Sequence, residues 1–376
     1  MSRKKKHVES SIVSMTHDYE RWAATFGPID KAAIERKHEL MDQDVSSFLR
    51  GTFYRWVYVF PQKCQECAQA PEILCVGDLH VDNFGTWRDD EGRLAWGIND
   101  FDETARMPFT IDLVRLAASA KLALTKVKFA NGCHEILRGY RETIDAVASG
   151  EKSRVQPIVL AENSHWLERI AVGQLKDPKT FWEKLDEVTD PANIKPVNRK
   201  AVPGVAARLI SRTLHDGVSK IEWKSRMAGV GSLGRQRFLA IGEWKGGRIA
   251  REAKALIPSA AVWANPPYSL QSDAYDKIHE SAVRSPDPYL LAAYGWVVRR
   301  LASDSHKLLL ADLAVKDIDT VLYHMGRETA NVHIGSKKRI PDVAKHLEGL
   351  HDSWLHDAAS VMTESVLQDY EVWKSR

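Results

Sequence analysis

No uncharged apolar run in this chain approaches the roughly 18 residues that a membrane span requires; the longest, near Leu290 to Val298, falls far below it. Cysteine is scarce, with Cys64, Cys67, Cys75 and Cys133 the full set. A disulfide-built scaffold is therefore excluded, and a chain of 376 residues can bury roughly three quarters of its surface without such staples. Cys64 and Cys67 have a CxxC spacing. No second pair of ligands follows at similar spacing, so ordinary reduced thiols are expected rather than a zinc site or a redox pair. An excess of one charge is also lacking: 53 Lys plus Arg stand against 50 Asp plus Glu. That balance argues against a nucleic-acid binder. The one basic run, Arg3 to Lys6, reads as a solvated tail, with a polyanion contact the less favoured reading. Ser10, Ser11 and Ser14 follow it in place of an apolar core, so no secretory signal is expected. The expectation is a soluble cytoplasmic protein.

What is present is acidic and local. Gly77-Asp78-Leu79-His80-Val81-Asp82-Asn83 follows the apolar run Ile73 to Val76. An Asp and an Asn five positions apart after a strand suit a phosphotransfer loop, the Asp taking a proton and the Asn carbonyl holding a metal. Ile98-Asn99-Asp100-Phe101-Asp102-Glu103 follows a second short apolar run. Two such strand-then-carboxylate units can deliver oxygen ligands to one point. Asp102 and Glu103 are either further metal ligands or loop caps. His80 is expected to bond the loop backbone and orient Asp78, and Asp82 to be exposed. Asp112 is expected to cap the following helix and to brace the catalytic loop. His333, between Val332 and Ile334, reads as a satisfied core histidine.

Periodicity organises the rest. Residues 30 to 60 are helix-rich, with Phe48, Leu49, Phe53, Trp56 and Val57 as an apolar stripe. Asp112 opens a helix predicted to be strongly amphipathic, and another covers Cys133 to Ala148. Pro191, Pro196 and Pro203, with Asn193 and Asn198, predict a linker. Beyond about Glu222 the pattern turns to strands. Arg237 to Trp244 and Arg248 to Leu256 read as a hairpin joined at Lys245-Gly246-Gly247. A helix is expected over Ser272 to Arg284, a strand over Trp296 to Leu301, and helices from Val315 to Trp373.

Gly229-Val230-Gly231-Ser232-Leu233-Gly234 is a GxGxxG. A dinucleotide fold would place a helix directly after it. Here Arg235 to Ile241 alternates like a strand, which favours a hairpin whose backbone N–H groups cover phosphates. Lys254, twenty residues after Gly234, could reach those phosphates. Arg251 is its rival on the same strand, and Glu280, on the next helix, its expected partner. Gly229, Gly231, Ser232, Gly234, Lys254 and Glu280 are thus the nucleotide-binding candidates. Asp78, Asn83 and Asp100 are the catalytic candidates, and Asn83, Asp100 and Asp102 the metal ligands.

Gly77-Asp78-Leu79-His80 with Asn83, Asn99-Asp100-Phe101-Asp102 and Ile111-Asp112-Leu113 resemble the catalytic segment of aminoglycoside phosphotransferases and related small-molecule kinases. The whole chain more closely resembles the bacterial family called domain of unknown function 2252. The features are Phe48-Leu49-Arg50-Gly51, the long Gly77 to Gly85 motif, Asn99 to Glu103, the glycine hexad, Arg299-Arg300-Leu301 with Lys307, and Ala330-Asn331-Val332-His333. The resemblance implies a kinase-like fold with Asp78 as base, Asn83 and Asp100 on the metal, and Lys254 on the phosphates. Two departures stand out. Asp78 and Asp100 are 22 residues apart, a little longer than usual, which suggests an extended hairpin around Asp89 to Gly92. Where the family more often has Lys-Glu-Ala, this chain has Arg251-Glu252-Ala253.

Kinase-like chains run glycine loop, lysine, catalytic Asp, metal Asp; here the two Asp motifs come first. The expected fold is therefore α+β, a circularly permuted, kinase-like pair of lobes. Residues 1–204 would form the helical catalytic lobe and 205–314 the strand-rich nucleotide lobe, with 315–376 returning as helices to the first. The leading function is ATP- and Mg²⁺-dependent phosphotransfer to an unknown acceptor. Transfer of the nucleotide monophosphate from the same cleft, a two-metal phosphoesterase, and a non-catalytic nucleotide-binding scaffold are the alternatives.

Overall fold

The computed structural model describes residues 11–124, 129–151, 155–160, 165–175, 177–186, 193–264 and 273–376. Arg3 to Lys6, Ser10, Pro191 and Ser272 lie outside the described residues. Helices α1 (Ile12–Ala23), α2 (Lys31–Gln43), α3 (Val45–Gly51) and α4 (Phe53–Lys63) open the chain. Ser11, Asp30 and Asp44 cap the first three, each accepting a backbone N–H of the first turn. The predicted apolar stripe is buried, with Phe48, Leu49, Phe53, Trp56 and Val57 all in the core.

Four short strands then carry the acidic loops. β1 (Glu72–Cys75) pairs antiparallel with β4 (Ala105–Pro108), and β2 (Phe84–Arg88) with β3 (Leu94–Ile98). The turn between β2 and β3 is the expected hairpin around Asp89 to Gly92. Helix α5 (Thr110–Ala123) was expected to be strongly amphipathic, but every residue from Thr110 to Ala120 is buried. It threads the core and has no wet face. Helix α6 (Phe129–Ala148) covers the predicted Cys133 to Ala148 and crosses α12 (Val315–His333) closely. Gly139 and Gly326 face each other's helix there, and a Cβ at either would strike the backbone at Tyr323 or Ile136.

The second half of the chain adds a six-stranded antiparallel sheet in the order β5-β6-β7-β8-β10-β9. Its strands are β5 (Ile194–Pro196), β6 (Ser219–Arg226), β7 (Arg237–Trp244), β8 (Gly247–Ala255), β9 (Leu291–Ala293) and β10 (Trp296–Leu301). The predicted β7–β8 hairpin is present, with Trp244 opposite Gly247. Its two turn residues, Lys245 and Gly246, both have positive φ, as a tight right-twisting hairpin demands. Strand alternation sends Phe238 and Ala240 to a cluster with α9 (Gly204–Thr213), and Leu239 and Ile241 to one with Leu185 of α8 (Pro178–Asp186), the helix after α7 (His165–Gly173). Within the stretch expected as a linker, three residues join the sheet: Ile194, Lys195 and Pro196 pair with Arg226, Ser225 and Lys224. Proline is tolerated there because β5 is an edge strand.

Between β8 and β9, α10 (Ala260–Ala264) and α11 (Ala274–Ser281) pack on the large helical core. From Val315 the chain is helical as expected. A short 3₁₀ stretch links α12 to α13 (Ile340–Gly349), and α14 (Trp354–Lys374) follows. The four cysteines are free and buried, and burial pushes the Cys64 and Cys67 thiols up to about 11 and 12. No helix among the described residues is long and apolar enough to cross a membrane.

Candidate active site

Gly77, at φ 92, turns the chain out of β1 and sets Asp78 at the cleft. The turn is held from below. The N–H groups of Val76 and Gly77 donate to the Asp112 carboxylate at 2.7 and 2.9 Å. Asp112 is also bonded to His333 Nε2 at 2.9 Å, and His333 Nδ1 to the Tyr140 hydroxyl at 2.9 Å. Asp112 therefore braces the loop as expected but does not cap α5, whose start has no side-chain cap. His333 is a core histidine with both ring nitrogens satisfied.

Asp78 is gripped by Arg115, whose Nε donates to Oδ1 at 2.7 Å while Nη2 also bonds the Leu49 carbonyl at 2.9 Å. Arg115 is fully buried, over the rings of Phe53 and Trp56. Burial pushes the Asp78 carboxyl up to about 7, with Arg115 opposing the rise. The other oxygen, Oδ2, lies 3.4 Å from the place a Cβ on Gly231 would take, and the Arg50 carbonyl lies 2.9 Å from it. Only a residue without a side chain lets the glycine turn settle this close to Asp78 and the Arg50 carbonyl.

Asn83 donates from Nδ2 to the Asp78 carbonyl at 2.6 Å, which directs its amide oxygen elsewhere. Its own carbonyl accepts the Asn99 N–H at 2.9 Å, so the two acidic loops are tied together. Asp100 and Asp102 then meet Lys254, whose Nζ lies 3.3 Å from Asp100 Oδ1 and 2.5 Å from Asp102 Oδ1. Burial alone would raise both acids. For Asp100 the cations Lys254 and Arg299 outweigh it and hold the carboxyl well below the usual range. For Asp102, burial and then the Asp100 charge win, and it rises. Glu103 receives the Ala260 N–H at 2.6 Å at the start of α10 and so acts as a cap.

The glycine hexad is the turn between β6 and β7, with Gly229 and Gly234 at positive φ and no helix directly after it. Arg235 fastens this turn to the acidic loop, reaching Asp102 at 3.4 Å and Glu103 at 3.0 Å. Ser232 Oγ accepts from Arg237 Nη2 at 2.5 Å. Alternation along β8 separates the two basic rivals. Lys254 and Glu252 share the face toward the acidic loop, whereas Arg251 lies on the opposite face, stacked on Tyr289 and bonded to the Thr213 carbonyl. Glu280 is exposed on α11 and makes no contact with Lys254, whose charge partners are Asp100 and Asp102. Asp82, expected to be exposed, is half-buried in an ion pair with Arg50 at 2.8 Å. His80 is buried in the cleft wall and does not bond the loop backbone; its Nδ1 has no partner among the described residues.

Asp78, Asn83, Asp100, Asp102 and the turn Gly229 to Ser232 thus line one cleft. Its free volume is about 40 Å³, enough for a few waters at most. Gly231 and Arg235 also line an adjoining pocket of about 470 Å³, walled by Phe26, Ile29, Ile34, Leu256 and Trp296. Sequence reasoning passed over Arg115, Arg235 and Glu252 as site-supporting residues. Arg115 carried a usable signal, a cation inside the apolar run Leu113 to Ala120, which has to be paired if the run is buried.

From the opposite side Glu328 of α12 braces β3. Its Oε1 accepts the Ile98 N–H at 3.3 Å, two residues before Asp100. Burial pushes this carboxyl up to about 7 against the pull of Arg284. The folded chain therefore holds a proton that the unfolded chain has lost. The stability this contributes is full below the ordinary value of 4.5 and disappears as pH rises through about 7. Relative to wild type, Glu328→Gln is expected to gain on the order of 2–3 kcal/mol between pH 4.5 and pH 8. Urea unfolding of both chains at the two pH values checks this; a difference that does not change with pH overturns it.

The fold and site define a mixed α+β protein in which a glycine turn from an antiparallel sheet closes over two acidic loops on a helical core. The chain belongs to the family of uncharacterized proteins conserved in bacteria known as DUF2252, whose model matches residues 29–250. No curated protein and no solved structure matches it.

Proposed function

We propose that this protein is an ATP-dependent phosphotransferase that works with Mg²⁺ in this cleft, on a circularly permuted kinase-like fold. The observation that carries the reading is convergence. Asp78, Asn83, Asp100 and Asp102, from two loops in the first third of the chain, meet the glycine turn and Lys254 from the later sheet. A strand, glycine turn and strand followed by a lysine on the third strand is the arrangement that covers and anchors nucleotide phosphates in kinases. The donor set fits a hard divalent cation: Asn83, Asp100 and Asp102 offer oxygens, and a cation, the Lys254 ammonium, already bridges two of them. Bound there, the metal supplies charge neutralisation at the phosphates. Asp78 accepts the acceptor's proton at Oδ2 while Arg115 fixes Oδ1. Lys254 moves from the two acids to the phosphates. At about 40 Å³ the cleft is too small for a nucleotide, so the glycine turn lifts first, loosening the Arg235 pairs and joining the cleft to the apolar pocket beside it.

Calorimetric titration of Mg²⁺-ATP into the wild type and Asp100→Ala tests the reading. Magnesium-dependent binding is expected, weakened at least tenfold in the variant, about 1.4 kcal/mol or more. A well-folded wild type that binds no nucleotide removes the phosphotransfer reading. Label passing to product from the γ- rather than the α-position of ATP is the expected mark of phosphoryl transfer.

A further inference from the structure

One wall of the cleft carries polar atoms that find no partner among the described residues. Lys307 lines the cleft, half-buried, and among the described residues no carboxylate lies within ion-pair distance of it. Arg50 and Arg299 repel it, and Asp100 and Asp82 attract it only from a distance. Burial first, then the Arg50 charge, brings its ammonium down to about 8. His80 is 5% exposed in the same cleft, with Nδ1 unpartnered among the described residues. Arg50 gives Nη1 to Asp82 at 2.8 Å and keeps a buried Nε with no partner among the described residues. The backbone fixes this grouping. The Thr86 N–H donates to the His306 carbonyl at 2.8 Å and the Leu308 N–H to the Phe84 carbonyl at 3.0 Å. Lys307 is therefore held opposite Gly85 of β2 by an isolated antiparallel bridge, and it lines the same cleft as Asn83.

We propose that Lys307, Arg50 and His80 form a phosphate subsite distinct from the Lys254 contact. A desolvated cation without a counter-charge and a buried unbonded ring nitrogen are each unfavourable. One oxyanion satisfies both, and lysine serves phosphate as a point charge where geometry is loose. The acids nearby do not fill this role, since Asp82 is engaged by Arg50 and Asp100 by Lys254. The subsite stands without the phosphotransfer reading; only the source of its phosphate, a nucleotide or a phosphorylated acceptor, rests on that reading.

The test is calorimetric titration of inorganic phosphate, with chelator present, into wild type, Lys307→Met, Lys307→Arg and the surface control Lys179→Met. Phosphate is expected to bind the wild type and the control equally, to bind Lys307→Met at least tenfold more weakly, and to bind Lys307→Arg within about threefold of wild type. Because Lys307 has no ion pair to lose, Lys307→Met is expected to unfold at or above the wild-type temperature, and Lys307→Gln repeats the test independently. Equal affinity in wild type and Lys307→Met, or no phosphate binding by folded wild type, overturns the proposal. Repeating the titration with Mg²⁺-ATP separates the sources. Displacement of phosphate by nucleotide assigns the subsite to the nucleotide's own phosphates, and phosphate binding beside bound nucleotide assigns it to a phosphorylated acceptor. Phosphate binding that depends on Lys307 in a chain that binds no nucleotide keeps the subsite and removes the phosphotransfer reading.

Discussion

Asp78→Asn is expected to lower ATP turnover by about 10²–10⁴-fold while Mg²⁺-ATP still binds within a few-fold of wild type. The amide keeps the size of the carboxylate and can still accept the Arg115 bond at one oxygen. It cannot take a proton. Positioning by Arg115, Asn83 and the Asp112 brace is left in place, so the loss isolates proton transfer from binding. Phosphate release from ATP, with water standing in for the acceptor, and calorimetry on the same variant measure the two quantities. Turnover that survives in Asp78→Asn would sink the base assignment. Turnover and binding lost together would mean that Asp78 holds the nucleotide.

Glu252→Gln is expected to destabilise the fold by about 3–5 kcal/mol, the usual cost of removing one side of a buried ion pair. Glu252 is fully buried on β8 and faces three guanidinium groups: Arg226 at 2.7 Å, Arg237 at 3.1 Å and Arg299 at 2.7 Å. Burial disfavours its charge, but the arginines, Arg299 foremost, outweigh that and hold the carboxyl well below the ordinary glutamate range. The contribution is therefore present above that range and is lost only in strong acid. Glutamine is nearly isosteric, so the change removes charge and leaves no cavity. Arg237 is itself buried and cannot turn to water for compensation. Urea unfolding near neutral pH measures the effect. A loss below about 1 kcal/mol would show that the partly exposed Arg226 and Arg299 relax into solvent and that the cluster is held by packing instead.

What could be read from the sequence was local. Asp78 and Asp100 stood out because each opens a loop just after its own strand, Asn83 because it shares the first of those loops five positions on, and the β7–β8 hairpin because Lys245-Gly246 is a turn signal between two alternating runs. The choice between Lys254 and Arg251 was also latent in the period of two, since residues three apart on a strand face opposite ways. The unread parts depend on partners far along the chain. Arg235 and Asp102 are 133 residues apart, and no pattern near either one announces the other. Glu280 was chosen for Lys254 by sequence proximity, whereas the lysine pairs with acids more than 150 residues earlier. Pro196 suggested a linker because its neighbours could not reveal that Ile194 to Pro196 borders a sheet. The amphipathic expectation for α5 failed because burial on every side depends on α6, α12 and α14 arriving later to cover it.

The bond between Asp112 and His333 spans 221 positions, and that separation has a consequence during synthesis. The acidic loops leave the ribosome early, but the histidine that locks their brace, and the lysines at 254 and 307, come much later. A nascent chain released at residue 250, where the family match ends, would carry both aspartates and the glycine turn yet have neither Lys254 nor the helix that pins the loop. The cleft is thus completed only by the last third of the chain, which brings Lys254, Lys307 and the His333 that holds Asp112.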